Sequence, residues 1–369
     1  MENHGKSWFT PSIHWLLVFI PIAFAVRYIP AFHTEVGLFI VSCLAIIPLA
    51  KIMGNATEII AERCGPTVGG FLNATFGNAA ELIIGLMALS KGFADVVKAS
   101  LTGSIIGNLL LVLGLSMIFG GSKFKTQTFS KTHASAGATA LIIASIALFI
   151  PTVYHFTAEK AGGWSPQIEQ NISWAISLII LLSYFLQLLF SLKTHKPTAA
   201  MGETSVEPGQ PEPSDRDLKK AGATLLGATF FVGIFSEYMV GSIEAVQIAF
   251  GLSEIFIGVI VVAIVGNAAE HSTAILMAMK NKMDLSLEIA IGSSLQVALF
   301  IAPVLVLASY AFGKPMTLEF TVPEVVAVMS SVWIIAHVVT DGDCNWLEGA
   351  QLVTLYLILG VLFYYLPVK

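Results

Sequence analysis

The pentapeptide GNAAE occurs twice in the chain, at Gly77–Glu81 and at Gly266–Glu270. A shift of 189 residues (77 to 266) superimposes the two copies. Without any gap, the same shift aligns further identical residues: Gly69 with Gly258, Ala74 with Ala263, Lys91 with Lys280, Asp95 with Asp284, and Gly103-Ser104 with Gly292-Ser293. A chance pentapeptide would not bring its flanking residues into register. The chain is therefore predicted to consist of two homologous halves.

The composition around these motifs is that of a membrane protein. Of the 369 residues, 56% are hydrophobic and 12% are charged, whereas soluble globular chains carry about 25% charged residues. This composition excludes a soluble enzyme, and a net charge of −5 offers no basic face to a nucleic acid. Three cysteines without CxxC spacing predict neither a disulfide framework nor a zinc site. We expect an all-α integral membrane protein that is not an enzyme and carries no cofactor.

Apolar runs of about 20 residues are long enough to cross a bilayer as helices. Eleven such runs are predicted, near 13–30, 36–60, 67–90, 95–119, 134–156, 171–192, 221–249, 254–279, 285–312, 322–340 and 347–366. The intervening stretch 194–220 is rich in Pro, Gly, Ser, Thr and acidic residues, which predicts a flexible cytoplasmic linker. The predicted organisation is an extra N-terminal helix (1–33), a first repeat (34–193), the linker (194–220) and a second repeat (221–369).

The basic residues predict the orientation. With the N-terminus in the cytoplasm, 13 Lys and Arg fall on the cytoplasmic side and 6 on the outside, and the C-terminus lies outside. Each repeat contains five spans, an odd number, so the two repeats enter the membrane in opposite directions. Inverted repeats are typical of secondary transporters, which bind their substrate near the midplane at the repeat interface.

Two carboxylates, Glu81 and Glu270, fall inside predicted spans, where an ionisable residue costs at least about 2.5–3.5 kcal/mol. No Lys or Arg is expected deep in a span to pair with them, so a cation or protons must neutralise them. Asn78 and Asn267 each precede a glutamate by three residues and share its helix face. Carboxylate and amide oxygens are ligands that Ca²⁺ prefers. These four residues are the candidate cation-binding set, with Glu81 and Glu270 as the direct metal ligands.

Further polar residues are predicted to line the site or to move protons. The lining candidates lie in the fourth and ninth spans: Ser104, Asn108, Ser293, Ser294 and Gln296. Small polar residues also join transmembrane helices, so helix packing stays open as their role. Glu58 and Glu237, in the leading span of each repeat, and His271 are candidates for proton passage or gating. For Glu58 a position at the cytoplasmic interface, and for His271 a structural hydrogen bond, remain alternatives.

Four stretches of the chain resemble the cation/proton exchangers of the Ca²⁺/cation antiporter superfamily, and bacterial Ca²⁺/H⁺ antiporters in particular. They are GNATEIIAERCGPTVGGFLNATFGNAAELI, SLTGSIIGN, VGNAAEH and IGSSLQVALF. The resemblance implies one extra helix followed by two inverted five-helix repeats. It also implies that Glu81 and Glu270 hold Ca²⁺ and protons in turn, and that Glu58 and Glu237 lie on paired gating helices.

The predicted function is export of cytosolic Ca²⁺ in exchange for protons by alternating access, in a bacterial plasma membrane. The expected partners are Ca²⁺, protons and membrane lipid, and a homo-oligomer is compatible with the sequence. A Na⁺/Ca²⁺ exchanger is the nearest alternative, and a cation channel is a more distant one. An intramembrane serine protease using Ser293 or Ser294 with His271 would leave both glutamates without a role.

Overall fold

The computed structural model describes residues 13–189 and 213–367, and this part of the chain is almost entirely helical. A 3-10 turn, Ile13–Val18, leads into the first helix. The first half contains α1 (Phe19–Tyr28), α2 (Glu35–Phe76), α3 (Ala79–Lys91), α4 (Ala94–Ile106), α5 (Leu113–Gly121), α6 (Lys131–Lys160) and α7 (Pro166–Leu189). The second half contains α8 (Asp215–Gly241), α9 (Ile243–Phe250), α10 (Glu254–Phe256), α11 (Ala263–Ala278), α12 (Met283–Gln296), α13 (Ala302–Ala311), α14 (Val322–Val338) and α15 (Trp346–Tyr364).

Three π-helical segments join consecutive helices without breaking them. Gly107–Val112 joins α4 to α5, Ile257–Val262 joins α10 to α11, and Val297–Ile301 joins α12 to α13. π-Helical turns inside α-helices are frequent at functional sites. The first and third segments occupy corresponding positions of the two halves, since the repeat shift of 189 carries 107–112 onto 296–301.

Eight of the described helical segments are long and apolar enough to cross a membrane. They are Glu35–Cys64, Ala94–Gly121, Lys131–Lys160, Pro166–Leu186, Asp215–Gly241, Glu254–Ala278, Met283–Ala311 and Trp346–Tyr364. Two shorter apolar helices, Trp15–Tyr28 and Val322–Val338, fall at predicted spans as well. The protein is therefore an all-helical membrane protein, as the composition predicts.

The predicted second and third spans meet in a sharp bend inside α2. A Cβ atom placed on Gly69 would lie 2.3 Å from the carbonyl oxygen of Ala61. In a straight helix, residues eight apart are separated by about 12 Å along the axis. The chain therefore turns back between Ala61 and Gly69, close to the loop predicted between the two spans. It is interrupted again at Gly77–Asn78, before α3 begins.

The predicted linker is shorter than 194–220 on its C-terminal side. Ser214 caps α8, accepting a hydrogen bond from the backbone N–H of Asp217, whose carboxylate accepts from the Ser214 N–H in return. Such a capping box is a strong helix start signal, so residues 215–220 are helical rather than linker. Residues 194–212 of the predicted linker lie outside the described residues.

Helices α2 and α8, which lead the two halves, pack along each other in opposite directions. At one end, the Ser242 hydroxyl just after α8 donates to the Glu35 carboxylate at the start of α2, at 2.8 Å. At the other end, Arg63 of α2 lies 3.6 Å from Asp215 at the start of α8. Helix α1 packs on α2. The pair thus forms one side of a bundle whose interior is made by α3, α4, α11 and α12.

The connecting loops gather at two opposite ends of the bundle. At one end, Gln127 pairs with Cys344 in a two-residue antiparallel ladder, and its amide donates to the Ala278 carbonyl at 2.8 Å. These contacts join the loops that follow α5, α11 and α14. At the other end, Lys98 of α4 donates to the Glu319 carbonyl at 2.9 Å, which ties the start of α4 to the loop after α13.

Candidate cation-binding site

Glu81 lies in the first turn of α3, directly after the helix break at Gly77–Asn78. The free backbone N–H groups and the positive end of the helix dipole at such a terminus favour a carboxylate. Glu270 is placed differently, in the middle of the continuous helix α11. The same pentapeptide therefore presents its glutamate from a helix end in the first half and from a helix interior in the second.

A hydrogen-bonded cluster surrounds Glu81. The Ser104 hydroxyl of α4 donates to Glu81 Oε1. The amide of Asn267, from the second half, donates to the same oxygen at 2.5 Å and lies 2.9 Å from Ser104 Oγ. Asn267 is 1% exposed and Ser104 is 3% exposed. The asparagine of the second motif therefore binds the glutamate of the first, rather than the glutamate three residues further along its own helix.

A second cluster joins residues around Glu270. Ser293 of α12 lies beside the Glu270 carboxylate, and its hydroxyl donates to Asn78 Oδ1 at 3.3 Å. The Asn78 amide donates to Gln296 Oε1 at 2.5 Å. The Asn108 amide donates to Ser293 Oγ at 3.1 Å. As in the first cluster, the asparagine of one motif contacts the serine that lies beside the glutamate of the other half.

His271 also enters the second cluster, through Asn108. Its Nε2 lies 3.1 Å from Asn108 Oδ1. The Asn108 amide is thereby held between the histidine of α11 and Ser293 of α12. This contact gives His271 a defined hydrogen-bonding partner, and its role in proton passage remains a prediction.

The two glutamates approach each other across Gly266. A Cβ atom on Gly266 would lie 2.9 Å from Cγ of Glu81, so only glycine leaves room for the glutamate at this crossing. Gly266 precedes Glu270 by four residues, which places the two on one face of α11 about one turn apart.

Three oxygen atoms in these clusters are buried and make no hydrogen bond within residues 13–189 and 213–367: Glu81 Oε2, Glu270 Oε2 and Asn267 Oδ1. Buried polar atoms are normally satisfied, so such atoms in a site need an explanation. All three are of the kind that coordinates hard cations. In the described part of the chain, no group of three or more His, Cys, Asp or Glu side chains forms another metal site.

A small cavity of about 10 Å³ adjoins Glu81. Its polar lining consists of Glu81, Ser100 and Ser104, and the remaining lining is apolar: Ile84, Leu101, Val262, Ala263, Ile301 and Leu305. Ser100 lies one helical turn from Ser104, toward the N-terminal end of α4. The cavity therefore lies on the side of the glutamate that faces this end of α4.

Glu58 and Glu237 lie outside the two clusters. Both side chains are exposed, on α2 and α8 respectively. Their positions on the paired leading helices agree with the resemblance, and their part in proton passage remains a prediction. Ser294, a further predicted lining residue, donates instead to the Ala290 carbonyl of its own helix at 2.9 Å.

The expectation that no Lys or Arg lies deep in a span was wrong for Lys51. This residue is partly buried in the middle of the Glu35–Cys64 span, and its ammonium donates to Thr273 Oγ1 of α11 at 2.9 Å. Thr273 follows Glu270 by three residues. The signal was present in the sequence, because Lys51 stands 16 residues after Glu35 in an otherwise apolar run, but its partner is 222 residues away.

Known proteins resemble the chain over nearly its whole length. A family model described as "Sodium/calcium exchanger protein" matches residues 34–193 and 220–365. A Ca(2+)/H(+) antiporter of Aphanothece halophytica is 45% identical over 363 residues, which cover 96% of each chain. The Ca(2+)/H(+) antiporter ChaA of Bacillus subtilis is 47% identical over 330 residues, covering 89% of this chain and 92% of its own.

The solved structures agree with the sequence relatives. The structure of native YfkE covers 96% of this chain and 100% of its own, with a TM-score of 0.82 and 42% identity. An H+/Ca2+ exchanger CAX structure, at 15% identity and a TM-score of 0.69, shows a shared fold. The resemblance predicted from the GNAAE motifs is thus confirmed. The chain belongs to the sodium/calcium exchanger protein family, within its cation/proton exchanger branch.

Proposed function

We propose that the protein is a Ca²⁺/H⁺ antiporter that exports cytosolic Ca²⁺ in exchange for protons. The observation that carries the proposal is the set of three buried oxygens without hydrogen-bond partners, on Glu81, Glu270 and Asn267. They belong to both halves of the chain, and they are oxygens of the kind that a bound Ca²⁺ would satisfy. The names of the relatives in Aphanothece halophytica and Bacillus subtilis support the same activity.

The charges of the site account for exchange. Two deprotonated glutamates carry a charge of −2, which one Ca²⁺ or two protons neutralise, and without either the carboxylates repel each other. Ca²⁺ takes 6–8 oxygen ligands at about 2.3–2.6 Å. Glu81, Glu270 and Asn267 supply oxygens, with Ser104 and Ser293 as neighbouring hydroxyls. Protonation of the two glutamates converts the ligands into neutral acids and releases the cation.

We further propose eleven membrane spans, arranged as one extra helix and two inverted five-helix repeats. Three features support this arrangement. The leading helices α2 and α8 are antiparallel, π-helical segments occur at corresponding positions, and the two polar clusters are related by exchange of the halves. The family model also matches in two segments, 34–193 and 220–365.

The proposed location is a bacterial plasma membrane, with the N-terminus cytoplasmic and the C-terminus outside. The excess of Lys and Arg on one side supports this orientation. The contacts among the loops after α5, α11 and α14 agree with it, since these three loops would all be cytoplasmic. In this location, membrane lipid would surround the bundle.

Transport into inside-out vesicles tests the proposal. Vesicles containing the protein should take up ⁴⁵Ca²⁺ when their lumen is acidic, and a protonophore should stop the uptake. An imposed Na⁺ gradient without a pH gradient should drive none. Uptake driven by Na⁺ and indifferent to pH would instead identify a Na⁺/Ca²⁺ exchanger, and downhill flux that no gradient can concentrate would identify a channel.

A further inference from the structure

A positively charged side chain lies beside the proposed cation site. Lys51 projects from α2 to α11, where its ammonium donates to Thr273 Oγ1 at 2.9 Å. Thr273 stands three residues after Glu270, so the two lie on one face of the helix, about one turn apart. Ionisable residues inside membrane spans are costly and are functional candidates for that reason.

The hydrogen bonds of Thr273 hold the ammonium in a defined position. The Thr273 hydroxyl donates its proton to the Ala269 carbonyl at 2.9 Å. Its oxygen lone pairs are therefore free to accept a hydrogen bond from Lys51. If the hydroxyl proton turned away from the Ala269 carbonyl, one of the two hydrogen bonds would be lost. The arrangement fixes the end of a flexible side chain that would otherwise have about 2 kcal/mol of rotamer entropy.

The ammonium acts on Glu270 through space rather than by a direct bond. A positive charge about one helical turn from a carboxylate interacts with it by Coulomb's law without any direct contact. Glu270 Oε2 nevertheless remains buried and without a hydrogen-bond partner among the described residues. The lysine thus leaves the carboxylate oxygen open to a cation while placing a fixed positive charge next to it. A divalent cation at Glu270 meets twice the repulsion that a monovalent one would meet.

We propose that Lys51 is an affinity-determining residue of the transport site, whose fixed positive charge weakens Ca²⁺ binding at Glu270 and thereby speeds Ca²⁺ release. The inference rests on the proposed function and adds a residue of α2 to it. A carrier must release its ion as well as bind it, and two buried carboxylates with amide and hydroxyl oxygens form a strong Ca²⁺ ligand set. A nearby positive charge offsets part of that strength without occupying a ligand position.

The test compares charge and shape at position 51. Lys51→Met removes the charge and keeps the length, Lys51→Gln keeps an amide donor without charge, and Lys51→Arg keeps the charge. Lys160→Met is the matched control, because Lys160 is exposed at the end of α6. We would measure the Kd for ⁴⁵Ca²⁺ by equilibrium dialysis of purified full-length protein, and KM and Vmax for Ca²⁺ in proteoliposomes.

We expect Lys51→Met and Lys51→Gln to lower the Kd by about tenfold, to lower KM, and to reduce Vmax because release slows. Lys51→Arg and Lys160→Met should keep the wild-type Kd. Damage to the fold would weaken binding, so tighter binding cannot arise from it. Unchanged or weaker binding by both uncharged variants, with normal binding by the wild type, would overturn the role of Lys51 alone. Absence of Ca²⁺ binding by the wild type would overturn the proposed function as well.

Discussion

The two GNAAE copies build two similar half-sites, the cluster around Glu81 and the cluster around Glu270, which differ in their surroundings. In the first, Glu81 accepts from Ser104 and from Asn267 of the other half. In the second, Glu270 lies with Ser293, which donates to Asn78 of the other half. Each asparagine therefore crosses to the opposite half. The two clusters therefore form only when both halves are packed together.

The half-sites differ at three positions where the repeat pairs a polar residue with an apolar one. His271 corresponds to Leu82, Gln296 to Gly107, and Asn108 to Val297. All three polar residues belong to the second cluster. Gln296 accepts a hydrogen bond from the Asn78 amide, and Asn108 links His271 to Ser293. The carboxylates are thus equivalent in sequence and unequal in environment.

Removing either carboxylate should have the largest effect. We expect Glu81→Gln and Glu270→Gln each to reduce exchange to background, because glutamine can neither carry the proton nor supply a negative ligand. The measurement is ⁴⁵Ca²⁺ uptake driven by a pH gradient, with membrane insertion checked by the amount of purified protein. Near-normal transport by either variant would contradict a shared site.

The close approach of the halves can be broken at Gly266. In Gly266→Ala the new Cβ would lie 2.9 Å from Glu81 Cγ. We expect uptake to fall by about tenfold, because a shift of about 1 Å is enough to impair a site of fixed geometry. Gly233→Ala in α8 is the control, since its Cβ would meet nothing within 4 Å. Equal activity of the two variants would mean that Glu81 does not need its place against α11.

The exposed glutamates of the leading helices should give a smaller effect. Glu58→Gln and Glu237→Gln are expected to slow transport several-fold and to shift its pH dependence, while Ca²⁺ binding persists, because both side chains lie outside the two clusters. Transport across a range of pH and equilibrium Ca²⁺ binding separate the two properties. A loss of binding as complete as in Glu81→Gln would move these residues into the primary site.

The asymmetry between the half-sites can be sharpened at Gln296. Gln296→Leu leaves the buried Asn78 amide without its acceptor, which should lower the free energy of unfolding by about 1 kcal/mol. It should also remove one of the three polar side chains that distinguish the second cluster from the first. Thermal unfolding together with the Ca²⁺ Kd would show the change, and Ser294→Ala, which removes a bond only within its own helix, is the control. No difference between the two variants would mean that Gln296 does not hold Asn78.

Much of the site was predictable because a tandem motif marks both of its halves. The shift of 189 residues aligns the two motifs, and it identifies Glu81, Glu270, Asn78, Asn267, Ser104 and Ser293 from the sequence alone. The crossing of the asparagines was not predictable, since helix periodicity places each asparagine beside the glutamate of its own motif. The Lys51–Thr273 contact was missed for a similar reason, because hydropathy describes one helix at a time and this bond joins two helices 222 residues apart.

The boundaries of helices were predicted less well than their existence. The break at Gly77–Asn78 falls inside the predicted span 67–90, whereas the bend between Ala61 and Gly69 falls close to the loop predicted between two spans. The start of α8 at Asp215 follows from local capping by Ser214 and was hidden by the polar composition of the linker. Propensity and composition average over a window, whereas a cap acts through two side chains.

The position of the bound cation is the most direct test of a site shared by the two halves. Crystals of the protein containing Ca²⁺ would be measured at a long wavelength for an anomalous difference map. We predict one peak between the two clusters, about 2.3–2.6 Å from carboxylate oxygens of both Glu81 and Glu270 and close to Asn267 Oδ1. A peak coordinated by only one of these glutamates, or one located at Glu58 or Glu237 instead, would contradict the account.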